Sequence, residues 1–381
     1  MPSTNSRLFP LYAAGFVTAF GAHSIAASLG GYTEAEHASL LTLGVLLAVY
    51  DGAEVVLKPL FGSLADRVGP RPVLLGGLLA FTLASAVFVV AGNPALVGVA
   101  RLGQGAGAAA FSPAAGTLVA RLSPSRQHGR AFGGYGAWKG LGYTLGPLLG
   151  GILITVGGYT LLFATLAVLA LAVAAWAGLA VPAVQPLPRT RQTVLDLARR
   201  LTTGSFLQPT LALAAATAAL AAGVGFLPVV GAGHGVKPLL TGAAVSVLAA
   251  CATVVQPWSG RARDAGRLRD GVGMGAGLFL AAAGTAVAVV LPGVGGLVLA
   301  AAAIGAGTGL ATPVAFAHLA AATPVERLGQ TMGAAEVGRE IGDAGGPLLV
   351  GAIAATSTLG LGLGALAVLL TATAVLVAIR P

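Results

Sequence analysis

Asp51, Glu54 and Lys58 lie in a stretch, 40–64, that is otherwise uncharged. On a helix they fall within about 60° of one face, because each residue turns the chain by about 100°. Glu336, Arg339, Glu340 and Asp343 share one face of a second such stretch, 331–356. Acids and bases in apolar sequence are costly to bury and mark ion pathways, proton relays or charged-solute sites. Bond-making chemistry has no comparable support: the chain offers no nucleophile–base pair, no phosphate loop and no metal-ligand spacing. No enzyme activity, cofactor or metal is therefore expected.

The elements that must position these charges are membrane spans. The chain is 56% hydrophobic and 9% charged, with a mean hydropathy of +0.89. Soluble proteins are about 25% charged, so this composition could not maintain a water-facing surface. Glycine, at 58 residues, lets helices approach closely in lipid. Leu and Val interleaved throughout exclude a low-complexity segment. The single Cys251 excludes an intrachain disulfide. The net charge of +9 lies in short loops between apolar runs, a positive-inside pattern rather than a nucleic-acid surface.

Breaks at Gly, Pro and charge clusters separate twelve segments of spanning length. They begin near Leu8, Ala38, Val73, Ala95, Ala131, Tyr159, Phe206, Leu239, Gly271, Val294, Thr331 and Thr358. Alternate loops carry the arginines: Arg67 and Arg71; Arg121, Arg126 and Arg130; Arg189 to Arg200; Arg261 to Arg269. That side, with both termini, is expected to be cytoplasmic. The Pro- and Arg-rich stretch 182–205 links residues 1–181 to 206–381. Within it, Thr193 to Leu201 reads equally as a plain linker or as an amphipathic helix on the inner surface.

The two halves repeat at an offset of 200 residues. Gly105, Gly107, Pro113, Gly133, Gly142, Gly146, Pro147 and Gly151 recur as Gly305, Gly307, Pro313, Gly333, Gly342, Gly346, Pro347 and Gly351. Such duplication is a hallmark of transporters. The mismatches are as informative as the matches. Arg101 and Gln104 face Ala301 and Ile304, while Gly136, Gly140 and Tyr143 become Glu336, Glu340 and Asp343. At an offset of 198, Asp51 and Glu54 face Ala249 and Ala252.

Three motifs carry a family resemblance. Gly62-Ser63-Leu64-Ala65-Asp66-Arg67-Val68-Gly69-Pro70-Arg71 follows the second helix, and Arg101-Leu102-Gly103-Gln104-Gly105 lies in the fourth. The fifth holds Gly133, Gly142, Gly146-Pro147 and Gly150-Gly151. Over essentially its whole length the chain resembles the major facilitator superfamily, in particular its twelve-helix drug:proton antiporters. The resemblance implies an all-α membrane protein with two pseudo-symmetric six-helix bundles. It also implies that the Asp66–Arg67 turn, with Gly62, Gly69 and Arg71, acts as an inner latch, and that Arg101 serves proton coupling. Pro70 departs from the usual basic residue, and the second-half copy is degraded to Pro257, Gly260 and Asp264 with extra arginines.

In that fold the second and eleventh helices meet. Counting at 1.5 Å per residue from Gly62 and Thr331, Lys58 is roughly 6 Å deep and Glu336 roughly 8 Å. Glu54 and Arg339 are each about 12 Å deep, and Asp51 and Asp343 about 16–18 Å. A ladder of Lys58 with Glu336 and Glu54 with Arg339 is expected, with Asp51 and Asp343 as carboxyls that load and release protons or bind a cationic substrate. Local pairing, Glu54 with Lys58 and Arg339 with Asp343, is the alternative. Lys139, aligned with Arg339, is expected at the cavity; His23 and His318 are expected to be ordinary packed residues.

The expected protein is a monomeric exporter in the inner membrane, exchanging protons for a small amphipathic compound. An ion or organic-anion carrier is the first alternative and a transporter-like sensor the second.

Overall fold

The computed structural model describes residues 4–35, 40–91, 93–186 and 202–379. Twelve helices account for nearly all of them. In chain order these are α1 (Thr4–Ala35), α2 (Leu40–Val68), α3 (Pro70–Val89) and α4 (Pro94–Leu122). The run His128–Ala180 is two helices, α5 (128–156) and α6 (159–180), broken where Gly157 and Gly158 leave helical geometry. The second half holds α7 (Gly204–Gly233), α8 (Pro238–Asp264), α9 (Asp270–Val290), α10 (Gly293–Ala322), α11 (Leu328–Thr356) and α12 (Leu359–Ile379). The proposed surface helix 193–201 lies outside the described residues.

Local chemistry explains the boundaries. Asn93 caps α4 by accepting from the Leu96 N–H at 2.9 Å, and Pro94 takes the first helical position, where no N–H is needed. Gly158, at φ 68°, turns the chain between α5 and α6 without a loop. The segment from Gly62 that reads as a loop is helix as far as Val68. Gly69 alone, at φ 96°, makes the turn into Pro70. Asp66 therefore rides on the last turn of a rigid helix.

Eight stretches of the described residues are long and apolar enough to cross a membrane, one of them containing both α5 and α6. Large apolar side chains such as Val156, Leu179, Val254, Phe279 and Val368 are exposed, as a lipid-facing surface requires.

The chain forms two compact units. The first comprises residues 1–123, 138–190 and 323–337, and the second comprises 124–137, 191–322 and 338–381. The first turns of α11 thus belong with α2, and those of α5 with α8. The core of unit 1 is built on Phe20, Ile25, Leu46, Phe88, Leu162 and Leu166. There α3 and α4 cross at Gly77 and Gly107, where an added Cβ on Gly77 would sit 2.7 Å from the Gly107 carbonyl oxygen. In unit 2 α9 and α10 cross in the same way at Gly277 and Gly307, 200 residues on.

Candidate functional site: buried charges and capped helix ends

Within unit 1, α2, α5 and the start of α11 bring four charges into a row. Lys58, 1% exposed, places Nζ 3.2 Å from Glu54 Oε2 and 3.6 Å from Glu336 Oε2. Lys139 Nζ lies 4.0 Å from the same Glu336 oxygen and 5.9 Å from the centre of the Tyr143 ring. Acid and base alternate, so the row is neutral. Glu54 and Glu336 are buried. Losing any one charge would strand a neighbour in a medium that cannot solvate it.

The expected Lys58–Glu336 pair is thus formed, and Glu54 takes the local alternative, pairing with Lys58 one turn away. Arg339 belongs to unit 2, where its guanidinium lies 6.0 Å from the Phe316 ring centre and its carbonyl accepts from Thr217 Oγ1 at 2.9 Å. Glu340 is half-buried. Asp51 and Asp343, expected to be desolvated, are exposed on α2 and α11. The desolvation argument for proton loading therefore moves to Glu54 and Glu336.

Arg101 is buried between α2 and α4. Its Nε donates to the Leu46 carbonyl at 3.2 Å, and its guanidinium lies 4.4 Å from the Tyr50 ring centre. Gln104 turns the other way, donating to Ser85 Oγ on α3 at 3.0 Å.

At the end of α2, the Asp66 carboxylate accepts from the backbone N–H groups of Gly329 (2.7 Å) and Gln330 (2.8 Å) in the first turn of α11. Helix N-termini present unpaired N–H groups and a partial positive charge, so a carboxylate there is stabilising. Contact this close requires glycine: a Cβ on Gly62 would strike the Gly329 carbonyl, and one on Gly329 the Gly62 carbonyl. Arg67 is exposed. Arg71 instead donates to the Gly178 carbonyl at the end of α6, at 2.6 Å.

Unit 2 repeats the device. Asp264, at the end of α8, accepts from the N–H groups of Gly129 (2.8 Å) and Arg130 (2.6 Å) in the first turn of α5. Gly129 and Gly260 make the close approach. The degraded motif copy thus retains its working parts, which sequence reasoning missed. The signal was the 198-residue offset, which pairs Asp66 with Asp264 and Gly62 with Gly260. It also pairs Lys58 with Gln256. Where Lys58 meets Glu336 in unit 1, the buried Gln256 side chain covers Gly136 in unit 2, filling the space a Cβ there would occupy. One junction is charged and its counterpart is neutral.

Asp66→Asn and Asp264→Asn should each cost about 1 kcal/mol, the typical value of a carboxylate at a helix N-terminus. Thermal unfolding of the purified protein measures both; an Asp264→Asn variant as stable as the parent would remove the second cap.

The packing glycines of α5 divide between two partners. Gly142 and Gly146 press on the backbone of α1 near Phe16 and Phe20, and Gly150 on Ser24, whereas Gly133 lies against Gln256 and Pro257 of α8. Gly151 has nothing within 4 Å, and Pro147 is exposed.

This arrangement has a known setting. Residues 11–284 match the model of the Major Facilitator Superfamily. The chain belongs to the major facilitator superfamily. Its relatives include the quinolone resistance protein NorA of Staphylococcus aureus, 29% identical over 152 residues, covering 40% of this chain and 39% of NorA. The class E tetracycline resistance protein of Escherichia coli is 40% identical over 108 residues, 28% of this chain and 26% of that protein. The matched stretches thus span about two fifths or less of these relatives' lengths.

Among solved superfamily structures, the human organic anion transporter MFSD10 superposes with a TM-score of 0.84 at 15% identity, covering 99% of this chain and 100% of that one. The E. coli fucose:proton symporter FucP gives 0.81 at 14% identity, covering 97% and 98%. The chain is accordingly an all-helical, multi-pass membrane protein with the major facilitator fold, a family of secondary transporters rather than enzymes.

Proposed function

We propose that this chain exports a small amphipathic compound in exchange for protons by alternating access. The observation that carries the reading is Glu336, a buried carboxylate shared by Lys58 and Lys139 just beyond the helix end that Asp66 holds. Protonating Glu336 removes the charge that both lysines face and loosens α11 from α2. Losing the proton restores the row. A proton thereby biases a two-state element, which is what coupling requires. The remaining candidates for the proton and substrate path are Asp51, Glu54, Arg101 and Gln104 within unit 1, and Glu340 and Asp343 within unit 2.

The efflux direction is supported by the resistance activities that name NorA and the tetracycline protein. The arginine-rich loops support insertion in the inner membrane with both termini cytoplasmic. The working unit is a monomer, in which residues 1–181 and 206–381 rock about the linker 182–205.

A second reading, an organic-anion carrier, draws on the two lysines at Glu336 and on the likeness to MFSD10. Reconstituted liposomes with an imposed pH gradient, challenged with amphipathic drugs, organic anions and metal ions, distinguish the two. Drug-triggered proton movement is expected, and it should be lost in Glu336→Gln while folding is kept. Movement with anions alone selects the second reading. Normal proton-linked transport in a folded Glu336→Gln variant would sink the role given to that carboxylate.

A further inference from the structure

Among the described residues, unit 2 contains a polar chain that has no counterpart in unit 1. His318 on α10 contacts Asp270 Oδ2 through Nδ1 at 2.8 Å. A carboxylate can only accept, so Nδ1 carries the hydrogen. Asp270, at the start of α9, also accepts from Arg263 Nε (2.7 Å) and Nη2 (3.1 Å). Arg263 Nη1 lies 3.5 Å from Asp264 Oδ1, the same oxygen that accepts from the Gly129 N–H. At the repeat offsets, His318, Asp270 and Arg263 correspond to Leu118, Pro70 and Ala65. The α8 junction is therefore wired to a histidine and the α2 junction is not.

We propose that His318 is a positioning residue whose charge sets how firmly Asp264 holds the first turn of α5. With His318 neutral, Arg263 is the only cation on Asp270 among the described residues and stays bidentate there, leaving Asp264 to the α5 amides. With His318 charged, Asp270 has two cations, Arg263 shifts toward Asp264, and the carboxylate is divided between a guanidinium and the helix end. The cap is weaker with His318 charged than with it neutral.

Around this chain, Arg263 and Asp264 come from α8 and Asp270 from α9, with Arg267 and Arg269 exposed in the turn between them. Arg261 of α8 is exposed and donates to the Pro257 carbonyl, and the α5 turn capped by Asp264 carries the buried His128 and the exposed Arg130. Helices α7 and α12 carry no charged residue over their described lengths. From α11, Arg339 lies over Phe316, two residues before His318. This is regulation of the transport cycle from the cytoplasmic side, separate from the proton that drives exchange.

Hydrogen–deuterium exchange tests it on the whole protein without any substrate. The peptide covering 128–136 should lose about two- to fivefold of its protection between pH 7.5 and 5.5, once intrinsic exchange is corrected, the range set by one carboxylate at a helix end. His318→Gln should abolish that pH dependence. Asp270→Asn should abolish it too, by cutting the link while leaving the histidine. Protection of 304–311, packed on α9, reports that each variant is folded. Because the buried His128 lies in the same peptide, the result is read against the parent: a pH-dependent loss as large in either folded variant as in the parent, or one absent from the parent, overturns the proposal.

Discussion

Lys58→Ala is expected to destabilise the protein by about 3–5 kcal/mol, because it strips the nearest cation from two buried carboxylates, Glu54 at 3.2 Å and Glu336 at 3.6 Å. At about 2–4 °C per kcal/mol, the thermal midpoint of the purified protein should fall by on the order of 10 °C. The diagnostic result is the cycle with Glu336→Ala. Removing both partners deletes the mismatch as well as the attraction, so the double variant should be more stable than the summed losses by about 0.5–3 kcal/mol. Strict additivity would mean that the two groups do not interact. Gln256→Ala, at the matching neutral junction, should lose only the packing and polar contacts of one amide.

Gly62→Val and Gly260→Val are expected to reduce transport at least about tenfold each. A Cβ at either position runs into the carbonyl of the opposing helix, at Gly329 or Gly129. Carbonyls cannot rotate out of the way, so the helix ends must separate, and the Asp66 and Asp264 bonds at 2.6–2.8 Å cannot survive that. Overpacking of this kind costs about 1–3 kcal/mol, all of it charged to the state in which the ends are closed. Gly76→Val is the control, because nothing lies within 4 Å of its Cβ position. Transport rates in liposomes decide the matter: equal rates for all three variants would mean that neither close approach matters to the cycle.

The helices were legible because the punctuation is strong. Gly69-Pro70, Asn93-Pro94 and Gly157-Gly158 each stop one helix and start another. The Lys58–Glu336 pair was legible from depth counting, since two charges on facing helices at the same distance from the membrane surface meet wherever those helices meet. Glu54 was harder. It had two cations within reach on paper, and i,i+4 geometry, which needs no tertiary structure, gave it Lys58. Asp51 and Asp343 were misjudged for a different reason, as apolar neighbours in sequence do not fix whether a helix face is covered.

The second cap was hidden by arithmetic. Helices α5 and α11 align at 200 residues but α2 and α8 at 198, so a single offset breaks the correspondence at the junctions. Asp270 was hidden by its company. Sitting one residue after Arg269, it reads as part of a basic loop, and nothing local announces that Arg263 and His318 both turn toward it.

The partners of Asp66 and Asp264 are main-chain N–H groups, and this sets how the two contacts behave over evolutionary time. Every residue except proline supplies that donor, so positions 130 and 330 can drift through most of the amino-acid alphabet without weakening either contact. Their present occupants, Arg130 and Gln330, already differ in charge. Correlated substitution, the statistical trace that usually betrays touching residues, has nothing to record here. A contact anchored at one end in the backbone constrains the aspartate and the glycines that let the two backbones approach, and an alignment would show an invariant acid near invariant glycines with no co-varying partner.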